Sequence, residues 1–341
     1  MLDKDVIQML MEGAIRKKIF PGAVLAVLED GRIVHHQSYG HFTYDISSPD
    51  VLIDTIYDIA SVTKEFIATA VLQLIESKRI NLHDRIDRYL PVLSGTTAGS
   101  VTVWHLLTHT SGIGVHMSKL AATNGDEIFE CIRNGQLLYE PGTRVAYSNI
   151  NTYLLGEIIV AVTSESLQNF LLKHIWQPLG MQHTSYCPPP QLRSTIPPTE
   201  IMGSEIIQGV VHDESARFLG GEVGHAGMFS AVTDLALFVG EWVRPEPTIL
   251  SEAMVIKAIS NQTPGLNLSS GFGWHLDDPR YLGSSFTRGT FFHPGFTGSL
   301  IAGNRSTGFG FVFLSNCTYP HREGNALKDD FFQSLFATLV G

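Results

Sequence analysis

The chain has 341 residues, 44% of them hydrophobic and 16% charged, enough apolar material for a sizeable core in one or two lobes. A net charge of −10 with no Lys/Arg block excludes the electrostatic footprint of a nucleic-acid binder. No apolar run is long enough to span a bilayer, and the three scattered cysteines, Cys131, Cys187 and Cys317, form neither a disulfide framework nor a zinc spacing, which points to a reducing cytoplasm.

The opening stretch, MLDKDVIQMLMEGAIRKKIF, mixes charges into an apolar pattern and predicts an amphipathic helix rather than a signal peptide. Two β-rich runs, Val24–Leu28 and Ile33–Tyr39, flank Asp30-Gly31 and predict a hairpin. Over 60–78, Phe66, Ile67, Ala70, Val71, Leu74 and Ile75 form one apolar stripe of a helix. Residues 81–90, NLHDRIDRYL, read as a helix stopped by Pro91. From about 100 to 185 the pattern is mostly helical and strand signals are scarce. Residues 186–222, rich in proline and glycine, predict a long irregular segment of the kind that often carries function. A helix over about 230–242 follows, then strands in TFFH, GSLIAGN and GFGFVFLSN, then a last helix over about 326–339.

This order predicts an α+β fold. One antiparallel sheet is built from both chain ends, 1–90 and 200–341, and flanked by the terminal helices. An all-helical lobe over 91–199 is inserted, and the cleft between the two is the expected site.

Three stretches carry the chemistry. In DIASVTKEF, Ser61 and Lys64 lie about 60° apart on one helix surface, with Lys64 on the shoulder of the apolar stripe and so half buried. Burial lowers a lysine's pKa and lets it act as a base, while the free N–H groups of a helix N-terminus favour charge developing at Ser61. A Ser-x-x-Lys by itself is weak, because about one is expected by chance in a chain this long. An N-cap serine followed by a surface lysine explains it as well. In VAYSNIN, Tyr147 offers a hydroxyl to relay a proton, and Asn149 a carboxamide to hold both the lysine and a substrate carbonyl. In FFHPGFTGSL, Gly295 after His293-Pro294 allows a substrate to approach the strand, and the Phe296 N–H becomes a second oxyanion donor beside that of Ser61.

With SVTK, YSN and HPG in that order, the sequence resembles the serine β-lactamase and penicillin-binding protein superfamily, on the class C branch that includes family VIII carboxylesterases. FPGAVLAV, LLTHTSGI, YEPGTRVAYSN, LGGEVGHAGMFS and GFGW extend the resemblance from about residue 20 to 320. It implies a class C β-lactamase/DD-peptidase-like fold and a metal-free, cofactor-free covalent mechanism. Ser61 attacks an acyl carbon, Lys64 with Tyr147 moves its proton, and Ser61 and Phe296 hold the oxyanion. Either Lys64 or Tyr147 serves as the resting base. The third motif departs from the Lys-Thr-Gly usual in lactamases and peptidases. His293 is only partly charged near neutral pH, and Pro294 removes a hydroxyl and a backbone donor. Weak recognition of carboxylated substrates follows, and carboxylic esters or small amides rank first as the small-molecule substrate. A muropeptide amidase or D-Ala peptidase ranks second and a β-lactamase third. A penicillin-binding protein with little turnover, and acyl transfer to another acceptor, stay open. His105 and His109 are expected to make structural hydrogen bonds. VHDES, with His212, Asp213 and Glu214, is expected to form a loop hydrogen-bond network rather than a metal site.

Overall fold

Asp30 and Gly31 both take positive φ, 48° and 76°, which is the turn geometry that matches the twist of a two-residue hairpin. The structure, a computed structural model, describes residues 2–117, 120 and 124–341. Its strands are β1 (Gly22–Glu29), β2 (Arg32–Gly40), β3 (Ile56–Asp58), β4 (Ser185–Tyr186), β5 (Glu200–Met202), β6 (Glu205–Ile207), β7 (Met228–Ala231), β8 (His275–Leu276), β9 (Phe291–Pro294), β10 (Leu300–Asn304) and β11 (Phe309–Ser315). Six of them form one antiparallel sheet in the order β2-β1-β11-β10-β9-β8, so the N-terminal hairpin pairs with strands from the far end of the chain.

Both faces of this sheet are covered, which explains why β1 reads as a continuous apolar run instead of alternating. Ala23, Leu25 and Val27 pack under the terminal helices Lys4–Arg16 and Lys328–Val340, where Phe20 meets Phe313 and Phe331 edge-on at 5.4 and 5.1 Å. Val24, Ala26 and Leu28 point the other way and join the larger core with the helix Val232–Val243. The small sheet β3-β7-β4 and the hairpin β5-β6 hold the other strands, and β4 lies within 91–199, which was expected to be all helical: its backbone pairs with β7 from the distant 200–341 segment. The segment 186–222, expected to be irregular, therefore contains that short hairpin.

The helix Thr63–Glu76 is buried almost all round, from Thr63 to Leu72, and not only along one stripe. Phe66 stacks on Phe238 at 4.1 Å, and the helix packs against the Asn149–Thr163 helix on another side. Lys64 is consequently 1% exposed, not half buried. The expected helix over 81–90 reduces to a single 3-10 turn, Ile86–Arg88. Asn81 and Asp84 divert the backbone and neighbours into local bonds: the His83 N–H donates to Asn81 Oδ1 at 3.0 Å, and Tyr89 Oη to Asp84 Oδ2 at 2.6 Å.

Phe66 anchors the helix that carries Lys64, so Phe66→Ala is expected to destabilise the fold by about 3–5 kcal/mol, read as a lower urea midpoint at unchanged slope.

Candidate active site

Ser61 follows a strained residue. Ala60 has φ 46°, in the left-handed region that non-glycine residues avoid, and its N–H is held by Asp58 Oδ1 at 2.8 Å. Asp58 is buried, and its other oxygen accepts the His212 N–H at 2.7 Å while its carbonyl accepts Thr297 Oγ1 at 2.7 Å. One carboxylate thus ties the Ser61 turn to the His212 loop, and the same residue's backbone ties it to the turn between β9 and β10. Ser61 sits in a 3-10 turn, Ala60–Val62, that feeds the α-helix. It does not act as a helix cap, because its Oγ instead accepts from Lys64 Nζ at 2.9 Å.

Lys64 Nζ donates a second hydrogen bond to the His225 carbonyl at 2.7 Å. Burial pulls its pKa down from the ordinary lysine value to about 7, against the upward pull of the Asp213 and Glu65 charges. Tyr147 is 42% exposed and lines the cleft, and its hydroxyl hydrogen-bonds Ser61. Burial of that hydroxyl pushes the phenol pKa up, more than the bond to Ser61 lowers it. The Lys64 amine stands 5.1 Å from the Tyr147 ring centre. Ser61 and Lys64, from one motif, and Tyr147, from another, therefore meet in one place.

Three histidines stand round the Tyr147 ring: His109 at 4.9 Å, His275 at 5.7 Å and His293 at 5.9 Å between ring centres. Burial lowers the His109 pKa to about 3 and that of His275 to about 4, so both are neutral at neutral pH. His109 makes the structural bonds expected of it, accepting from Asn151 Nδ2 at 3.0 Å and the Ser148 N–H at 3.3 Å, but it also lines the cleft. His105 closes a capping box with Thr102.

His293 differs from expectation. It is fully buried, lies outside the cleft lining, and its Nδ1 donates to the Pro294 carbonyl at 3.0 Å. Its Nε2 stands 3.7 Å from the carboxyl of Glu65, longer than a hydrogen bond, and burial drives both groups towards their neutral forms. The contact is packing between neutral groups rather than an ion pair. Asn149 is likewise outside the cleft lining, and the Lys64 amine bonds to Ser61 and His225 rather than to it. Gly295 is constrained from inside the protein: a Cβ there would lie 2.7 Å from the Ile59 carbonyl oxygen and 3.0 Å from Ser299 Cβ. The Gly295 N–H is taken by the Ser299 carbonyl at 2.7 Å, and Phe296, 47% exposed, follows on the cleft rim.

The cleft, about 520 Å³, is floored by Ser61 and walled by Tyr147, His275 and Pro294–Phe296. Its rim holds Arg144, Arg280 and Lys328 and, among the described residues, no carboxylate. Arg280 is paired with Asp278 through Nε at 2.9 Å, and Lys328 Nζ lies 5.5 Å over the Phe296 ring. These rim cations are spread over the sequence with no shared motif, so only the folded chain gathers them. In the VHDES loop, His212 Nε2 meets Glu200 at 2.9 Å and Asp213 caps the turn that follows, a hydrogen-bond network as expected.

A sequence profile of the Beta-lactamase family matches residues 5–331. The chain belongs to that family. A Salmonella paratyphi A protein with the provisional name D-alanyl-D-alanine carboxypeptidase is 25% identical over 362 aligned positions, 91% of this chain and 82% of its own. Among solved structures, EstCE1, described as a hydrolase with promiscuous acyltransferase activity, superposes with a TM-score of 0.79 at 21% identity, covering 98% of each chain. A class C β-lactamase from Rhodobacter sphaeroides gives 0.77 at 21% identity, covering 97% of this chain and 98% of its own. At these identities the superpositions establish the fold, which is the class C β-lactamase and penicillin-binding protein type. No helix among the described residues is long and apolar enough to cross a membrane.

The contact of Gly295 with Ile59 generates a test. Gly295→Ala must push β9 away from the Ser61 turn, and a misplacement of about 1 Å lowers turnover by about 10²-fold. The expected result is that loss in kcat on a chromogenic ester, with a cooperative thermal melt retained.

Proposed function

We propose that the chain is a serine hydrolase that forms an acyl-enzyme at Ser61 and acts on carboxylic esters or small amides. The observation that carries this reading is the buried Lys64 amine, 2.9 Å from Ser61 Oγ and with a pKa near 7. The raised phenol of Tyr147 makes Lys64 the better resting base and Tyr147 a proton relay that stays neutral. Ser61 Oγ attacks the acyl carbon as its proton moves to Lys64 Nζ. The N–H groups of Ser61 and Phe296 receive the oxyanion. The leaving alkoxide or amine takes a proton from the Lys64 ammonium through the Tyr147 hydroxyl. A water molecule then attacks the ester, gives its proton to the same pair, and frees Ser61. Gly295 acts in this scheme by its fit against the Ser61 turn, and His293 by packing against Tyr147 and Pro294 of the cleft wall. The cleft takes its lining from 91–199 and from 1–90 with 200–341, which supports reading these as a helical lobe and a sheet lobe closing on one site.

A second reading, a peptidase or amidase for substrates with an anionic end, draws support from the rim cations Arg144, Arg280 and Lys328. They supply at the mouth the positive charge that His293 does not supply within. The provisional name of the Salmonella relative points the same way.

Purified protein offered p-nitrophenyl esters, D-alanyl peptides and benzylpenicillin decides between the readings: fastest turnover is expected on short-chain esters, and preference for the D-alanyl peptide moves the second reading to first. Ser61→Ala is expected to abolish both turnover and covalent labelling by a fluorophosphonate, and labelling of another serine in intact-protein mass spectra refutes the mechanism.

The base must be neutral to accept a proton, so kcat/KM is expected to rise with pH through about 7, following the Lys64 amine. Lys64→Ala and Tyr147→Phe should each lower kcat by about 10²–10⁴-fold, and the double variant by far less than the product. Multiplying losses show that the two groups do not share a proton path.

A further inference from the structure

Beside Lys64, outside the cleft lining, lies a partly buried cluster that the chemistry above does not use. The Lys64 amine donates to the carbonyl of His225, and the ring of the same His225 is fully buried. Its Nε2 stands 3.0 Å from Ser215 Oγ and 3.4 Å from Asp213 Oδ1, while Ser215 Oγ donates to Asp213 Oδ1 at 2.6 Å. Both neighbours of Nε2 therefore act as acceptors, and the neutral ring carries its proton on that nitrogen. The backbone on either side is also confined. A Cβ at Gly224 would run into the Thr152 carbonyl, and one at Gly227 into the Gly221 carbonyl. The carbonyl that receives Lys64 is thus fixed by its own side chain and by the chain around it.

We propose that Asp213, Ser215 and His225 form a positioning cluster that aims the Lys64 amine at Ser61, and that the Asp213 carboxylate is the negative charge that amine senses. The proposal rests on Ser61 and Lys64 being the working pair. With one N–H held by the His225 carbonyl, the neutral amine can turn its lone pair to the Ser61 hydroxyl in place of the N–H that it donates to Ser61 Oγ. Of the two carboxyl groups that raise the Lys64 pKa, Asp213 has the larger influence and Glu65 the smaller. Glu65, on the same helix, is buried with both oxygens unpartnered, which favours its neutral acid. Tyr147 and His109 face Lys64 from the helical segment, and His275 and His293 from β8 and β9. Burial favours the neutral form of all four. Burial likewise keeps the His225 ring neutral. Asp213 is the exception. Although burial opposes it, the His225, Ser215 and Ala216 hydrogen bonds hold it well below the usual carboxylate range.

Asp213→Asn removes the charge while keeping the cap on the Glu214–Phe218 turn, where the Asp213 side chain accepts the Ala216 N–H at 2.9 Å and asparagine caps equally well. The rate of fluorophosphonate labelling at Ser61 is measured against pH for the wild type and the variant. Without the charge, the ammonium is less stabilised, so the acid limb of the variant's profile should move to lower pH by about one unit. Absence of a shift, or a shift to higher pH, in a protein with a native melt overturns the proposal. If Asp213→Asn fails to fold, Asp213→Ser, a second uncharged cap, carries the same expectation, and failure of both to fold marks Asp213 as structural and also overturns it. Wild-type protein that is not labelled at Ser61 refutes the nucleophile assignment instead, which separates the two failures.

Discussion

The site depends on one unfavourable act, the burial of a lysine amine. An ammonium removed from water is strongly disfavoured unless it is paired, and Lys64 has a carbonyl and a hydroxyl as its neighbours rather than a bonded carboxylate. The balance leaves an amine poised near neutral pH and pointing at a serine. The surrounding core makes this position unavoidable for the chain. Phe66, Ile67, Val71 and Leu74 pack the helix into the larger core beside the Val232–Val243 and Asn149–Thr163 helices, which leaves residue 64 only 1% exposed.

Around that helix the protein joins distant segments by single groups. Asp58 holds the strained Ala60, the His212 loop and Thr297 together. Gly295 lies so close to the Ile59 carbonyl that no side chain fits between the end of β9 and the Ser61 turn. Buried polar links of this type are demanding, because losing one partner leaves the other unsatisfied in a low-dielectric interior. They keep the serine and the N–H groups of the β9–β10 turn in register, although these are separated by more than half the chain.

The electrostatics are layered. The whole chain is acidic, at −10, yet the cleft rim is cationic, its floor is lined by neutral histidines, and beside the lysine lies a carboxylate that stays charged. Cations at the mouth of a cleft with low-dielectric walls raise the local concentration of anionic ligands. His293 was the residue from which the sequence argued for a neutral substrate, and it faces inward. The cations at the cleft are instead Arg144, Lys328 and Arg280, the last paired with Asp278.

The sequence by itself determined the fold class and named the groups proposed to react. Hairpin chemistry at Asp30-Gly31, the apolar stripe after Ser61, and the spacing of SVTK, YSN and HPG are local patterns, and local patterns survive without knowledge of the fold. The helix expected over 81–90 failed because side chains such as Asn81 and Asp84 bonded locally and competed with helical bonding. The depth of Lys64, the inward turn of His293, the clash that requires a glycine at 295 and the Asp213–Ser215–His225 cluster were not legible. Each depends on groups far apart in the chain, and burial, which decides their charge states, is a property of the packed interior and not of any stretch of sequence.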